Sequence, residues 1–197
     1  MNILLNATNP VLIVVPVAII VILAIIVACM FVSYHNKFIK LRNNVEESFS
    51  SMDVYLKKRY DLIPNLVSTV KGYAKHEQET LTQVIEARNM CINATTAEEK
   101  IQSENMLNDT LKSLFALSEN YPKLQANENF IDLQNQLKVI EEDIAVARKT
   151  YNARVKTYNT SIEVFPGFLF AKLYKHKKVD FFVVDEEKER KNIKVEF

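Results

Sequence analysis

The sequence predicts an all-α protein: a single N-terminal transmembrane helix followed by an antiparallel four-helix bundle with two long helices. Three observations carry this. The 197 residues include only 2 Gly and 5 Pro, too few for hairpins or tight βα loops, which rely on glycine for positive φ. Residues 11–32, VLIVVPVAIIVILAIIVACMFV, carry no charge. Beyond them, apolar residues return every three or four positions, the helical period.

The apolar run comes first. As a helix it is about 33 Å long, enough for a hydrocarbon core of about 30 Å. Pro16 is expected to kink it near one end. A secretory signal peptide has a basic leading region and a shorter apolar core; here residues 1–10 hold no Lys or Arg, so a retained anchor is expected. A second reading takes IVAC, residues 26–29, as a lipoprotein box with Cys29 lipidated; the missing basic region counts against it. Lys37, Lys40 and Arg42 follow the run, which puts the C-terminal side in the cytoplasm and a short N-terminus outside. The NAT sequons at Asn6 and Asn93 then read as chance matches.

The remainder reads as helices. Val45, Phe49, Met52, Leu56, Ile63, Leu66, Val70 and Tyr73 form a seam stepping by fours and threes, with Arg59 in its one polar slot. Pro64 is expected to kink or break this helix, because it lacks an N–H and crowds the preceding turn. Gly72 stands near its end. Few breakers separate Pro16 from Pro64, so the anchor is expected to run straight into this helix. A second helix spans about 76–92, with Leu81, Val84, Ile85 and Arg88 on one side. A third spans about 97–119, capped at Thr95 or Thr96, with Ile101, Leu107, Leu111, Leu114 and Phe115 inward. Pro122 disfavours helix at Tyr121. Asn127 caps a fourth helix, to about residue 162, whose seam runs from Phe130 to Ile162. Short loops imply up-down-up-down packing.

Two stretches carry a family likeness: MDVYLKKRYDLIPNLVSTVKGYAKHEQETL (52–81) and ANENFIDLQNQLKVIEEDIAVARKTYNARVKTYNTSIEVFPG (126–167). With the anchor, they resemble the LemA family of bacterial membrane proteins over roughly residues 30–170. The resemblance implies an antiparallel four-helix bundle in the cytoplasm behind a short external N-terminus, at the bacterial plasma membrane. It brings no catalytic residues. The chain departs from the family pattern in its short, mixed-charge tail.

The chemistry is sparse. A di-iron bundle needs Glu-x-x-His on two helices, and Val32, Tyr73 and Leu173 stand three residues before His35, His76 and His176. No phosphate-binding glycine loop, GxSxG or HExxH is present. A net charge of +1 offers no nucleic acid a basic field. Cys29 and Cys91 suggest neither a disulfide framework nor a metal site. No enzyme activity, cofactor or metal is expected.

Four segments are expected: residues 1–10 outside, 11–32 spanning, 33–165 as the bundle, and 166–197 as an amphipathic, charged tail. Arg59 and Pro64 are read as register and kink. Arg59 is expected to snorkel outward to Glu141, Glu142 or Asp143. Tyr60, Asp61 and Asn65, on the outer side of that turn, form the candidate partner surface. Phe168, Phe170, Tyr174, Lys175, Lys177 and Lys178 are candidates for a membrane-interface segment; the competing reading folds the aromatics back onto the helices. The expected function is a non-catalytic scaffold or adaptor for other membrane proteins. The alternative is a lipid-binding or membrane-shaping protein. Expected partners are the lipid bilayer and other membrane proteins, with self-association open.

Overall fold

The computed structural model describes residues 10–183. The Asn6 sequon, nearly all of the expected external segment, and residues 184–197 of the expected tail lie outside the described residues. Among the described residues all regular structure is helical: α1 (Pro10–Tyr73), α2 (Gln78–Asn93), α3 (Ala97–Ser118), α4 (Pro122–Gln125), α5 (Glu128–Glu163) and α6 (Gly167–Leu173). They form two compact units. One comprises residues 10–43 and 158–178, the other 44–157 and 179–183.

The anchor does run straight into the first seam. α1 is a single helix of 64 residues, and neither Pro16 nor Pro64 breaks it. At Pro64 the reason is visible in the larger unit. Proline leaves the carbonyl four residues earlier, on Tyr60, without its helical donor. Arg88 of α2 supplies one instead, its Nε donating to Tyr60 O at 2.7 Å. The broken ladder is repaired from a neighbouring helix, so the chain keeps its helical path.

The core of the larger unit is built from Met52, Leu56, Ile63, Leu66 and Val70 of α1, Leu81, Val84 and Ala87 of α2, Leu107, Leu111 and Leu114 of α3, and Phe130, Leu137, Ile144, Tyr151 and Val155 of α5. α2 packs against α3. α5 runs antiparallel to α1. Phe49 meets Tyr151 edge-on at 5.7 Å, and ten residues further along α1, Arg59 meets Glu141, ten residues back along α5. At the far end Asn127 Nδ2 donates to Tyr73 Oη at 3.0 Å. The helix starts follow their capping chemistry. Thr96 Oγ1 accepts the Glu99 N–H while the Glu99 carboxylate accepts the N–H groups of Thr95 and Thr96, a reciprocal cap. Asn127 Oδ1 accepts the Phe130 N–H.

Two short helices were not anticipated. α4 opens with Pro122 at its first position, where a missing N–H costs nothing, and it buries Leu124. α6 follows Pro166 directly. In the larger unit, the segment after α6 docks on α5. The Asn152 amide accepts the Phe182 N–H at 2.8 Å and donates to the Phe182 carbonyl at 3.0 Å. Phe182 itself is buried.

In the smaller unit, Val14–Cys29 are exposed throughout, which fits a membrane anchor. The end of α5 and α6 pack beside residues 31–38 of α1. Gly167 lies so close to the Ser161 carbonyl that a β-carbon there would overlap its oxygen. No larger residue fits the turn between α5 and α6 without moving the backbone.

Candidate functional site

The larger unit buries a polar centre inside its apolar seams. Arg59 is 2% exposed and Glu104 of α3 is 2% exposed. Arg59 Nη1 donates to Glu104 Oε2 at 2.9 Å, and Nη2 donates to Asn108 Oδ1. Its Nε lies 2.9 Å from Glu141 Oε1 of α5, an ion-pair distance without an aligned hydrogen bond. The Tyr60 hydroxyl donates to the other Glu104 oxygen. One cation on α1 thus meets carboxylates from α3 and α5. Beside it, Arg88 of α2 holds the backbone of Tyr60.

Two expectations are corrected here. Arg59 does pair with Glu141, but it does not snorkel: it is among the largest fully buried side chains, and its hydrogen-bonded carboxylate partner is Glu104, which the sequence reading missed. The partner has a sequence signal. Glu104 sits on the stripe Glu104, Leu107, Leu111, Leu114, as the charged slot of α3 matching the charged slot of α1. Tyr60 is 4% exposed and faces the core. α1 is packed by more than one neighbour, so its buried stripe is wider than a two-position seam and takes in residue 60 next to 59. Asp61, Pro64 and Asn65 are exposed.

The electrostatics of the centre hold its neutral groups protonated. Burial, reinforced by the Glu104 charge, raises the Tyr60 phenol far above its ordinary range, so it stays a proton donor. The same causes push the Cys91 thiol up to about 12, which leaves it protonated and poorly nucleophilic near neutral pH. Among the described residues, no group of three or more His, Cys, Asp or Glu is placed to hold a metal.

Over this centre, between α3 and α5, opens a cleft of about 820 Å³. Arg59, Glu104 and Asn105 line it together with Lys112, Lys138 and Phe182. Asn105 Oδ1 is buried with no hydrogen-bond partner. Lys112 and Lys138 are exposed.

The LemA family model matches residues 48–197, which include the buried centre and both walls of the cleft. The chain belongs to the LemA family. Relatives of this LemA-family chain include the magnetosome protein MamQ of Magnetospirillum gryphiswaldense, 23% identical over 75% of this chain and 64% of that protein. Another is the protein LemA of Metamycoplasma hominis, 20% identical over 69% of this chain and 63% of that protein. A third is magnetosome protein MamQ 2 of Paramagnetospirillum magneticum, at 23% identity and the same coverage as the first. The LemA-family chain thus spans less than two thirds of the length of these relatives.

The expected membrane-interface residues separate into two groups in the smaller unit. Phe170 stacks on Tyr34 at 4.8 Å and meets Phe31 edge-on at 5.4 Å. Tyr174 contacts Phe31 and His35 at 5.2 and 4.4 Å. Those two rings fold back onto α1 and are half-buried there. Phe168, Lys175, Lys177 and Lys178 are exposed, with Lys178 paired to Glu163.

Proposed function

We propose that this LemA-family protein is a non-catalytic, single-pass membrane protein whose helical domain, an antiparallel four-helix bundle of α1, α2, α3 and α5, faces the cytoplasm as a scaffold or adaptor for other membrane proteins. The observation that carries the reading is the cleft. It is a standing groove between two helices, with a locked ionic floor, an unsatisfied buried acceptor at Asn105 and exposed lysines. A buried acceptor without a partner costs free energy until a donor arrives, and a groove of this kind suits a protein segment. The exposed Asp61, Pro64 and Asn65 supply a second candidate surface. The apolar stretch of α1, with none of its most apolar window buried, fits the anchor. The basic residues after it support a cytoplasmic domain. On this reading residues 33–165 are the bundle and 166–197 the tail.

In-cell crosslinking of the full-length chain with mass spectrometry tests this. Membrane proteins should be enriched over a free-anchor control, and the Lys112→Glu/Lys138→Glu variant should lose them while keeping its helicity. Equal recovery with the free anchor overturns the adaptor reading. The alternative, a lipid-binding protein, is favoured by one feature, the outward face of α6.

A further inference from the structure

α6 is apolar on both of its sides. Gly167, Phe170, Ala171 and Tyr174 face α1 or are shielded by it, and Gly167 and Ala171 are buried. The opposite stripe, Phe165, Phe168, Leu169 and Leu173, is 78, 43, 52 and 60% exposed. These positions step by three, one and four, which makes a single face of one helix and its entry. Lys172, four residues beyond Phe168 and three beyond Leu169, shares this face; an exposed apolar patch of this kind marks an interaction surface, and core packing does not account for it.

Its place in the smaller unit says what covers it. Gly167 lies beside Phe38, with the β-carbon position 3.7 Å from Cζ. Phe170 lies against Tyr34 and Phe31, and Tyr174 against Phe31 and His35. α6 therefore runs antiparallel to α1 and descends toward the apolar span, ending level with its last turn. From Phe38 to Phe31 is about 10 Å of helix, comparable to the ~5–10 Å depth at which amphipathic helices lie in the headgroup and acyl boundary.

The turn at the bottom is built for a poorly hydrated setting. Lys175 has φ 56 and reverses the chain. The Tyr174 N–H bonds to Phe170 O, the Lys175 N–H to Lys172 O and the His176 N–H to Ala171 O, at 3.0, 3.2 and 2.9 Å. The helix end thereby satisfies its own carbonyls, as backbone near hydrocarbon requires. Lys172, Lys175 and Lys177 are exposed around the turn, able to reach phosphates from an apolar footing.

We propose that the stripe Phe165, Phe168, Leu169 and Leu173 is seated in the boundary layer of the leaflet from which α1 emerges, as a second, in-plane foothold beside the span. The proposal rests on reading α1 as the membrane anchor and deepens the lipid-binding alternative by naming its residues. The occupant is lipid, because α6 ends level with the last turn of the span and carries exposed lysines at that end.

The chain has no Trp, so a single introduced Trp reports its own surroundings. The full chain is reconstituted in nanodiscs of phosphatidylcholine and phosphatidylglycerol with brominated acyl chains. Val21→Trp reports the span, Leu169→Trp and Phe168→Trp the stripe, and Met90→Trp an exposed position on α2. Loss of emission is expected at Val21 and at both stripe positions, and not at Met90. Quenching at Val21 with hydrated, unquenched emission at Leu169 and Phe168 overturns the foothold and leaves the anchor standing. Emission at the stripe that is shielded from both bromine and aqueous acrylamide also overturns it, since a protein surface such as a second copy would then cover α6. An unquenched Val21 overturns the anchor itself.

Discussion

Pro64 has no N–H to give the Tyr60 carbonyl, and Arg88 gives its own. At the scale of the residue this exchange makes a coupling that can be measured. Arg88→Leu should cost about 1–3 kcal/mol, the penalty of an unsatisfied buried acceptor. In a Pro64→Ala background the helix supplies its own N–H, so most of that cost should vanish. Denaturant unfolding of the four proteins followed by helicity checks it, and equal costs in both backgrounds would dismiss the repair. Arg59 and Glu104 are tied more tightly. Arg59→Met leaves the Glu104 charge buried and should cost about 3–5 kcal/mol. Replacing both by Met and Leu should recover most of it, because the desolvation penalty disappears with the charges. If the double variant is as unstable as the single one, the pair is not what demands Arg59.

At the scale of the element, the two glycines should respond with opposite sign. Gly72 lies within α1 with nothing near its β-carbon position. Gly72→Ala should stabilise the protein by about 0.5–1 kcal/mol through helix propensity alone. Gly167 lies where the chain turns from α5 into α6 against the Ser161 carbonyl, and Gly167→Ala must displace backbone, at about 1–3 kcal/mol. Thermal melts of both variants decide it. A stable Gly167→Ala would mean that α6 docks less closely than its rings against Phe31 and Tyr34 indicate. α6 also shows why an element can be hidden in a sequence. A helix apolar on one face announces its buried side by periodicity, whereas one that is apolar on two faces does not say which face is which.

At the scale of the whole molecule, the titrating groups bound a plateau of stability. His176 packs between Tyr158 and Phe38 at ring distances of 6.2 and 5.1 Å. Burial first, then the positive Arg42 and the His35 ring, lower its pKa from 6.5. The unfolded chain therefore takes the proton before the folded one does, and stability should fall as the pH drops below 6.5. On the alkaline side Cys91 is raised from 9.0 to about 12, and Tyr60, Tyr151 and Tyr158 are raised from 10.0 by burial. Here the unfolded chain ionises first, so stability should fall as the pH rises above 9. Unfolding midpoints across the range should show both limbs. His176→Gln should flatten the acid one and Cys91→Ala should soften the alkaline one. A midpoint that rises toward acid would contradict the assigned burial of His176.

Much of this protein was legible without coordinates. The apolar span, the seam of α1 from Met52 to Val70, an N-cap at Thr95 or Thr96 and the Asn127 cap follow from local rules that act within a few residues of one another. The charged slot at Arg59 was also legible singly, as an interruption of an apolar stripe, and Glu104, although missed, carries the same kind of signal. Their pairing was not, because the partners lie 45 residues apart and the helix–helix register decides which slot faces which. The same holds for Arg88, 28 residues from the carbonyl it satisfies, and for Tyr60, which is drawn inside by neighbours that its own helix cannot announce. The sequence by itself determined where the long helices run and which stretch is apolar enough for a bilayer, since periodicity and hydropathy are properties of contiguous residues. Only the tertiary structure decided where the buried charges find their counterions and which side of α6 is left uncovered, since those depend on packing across distances that the chain order does not encode.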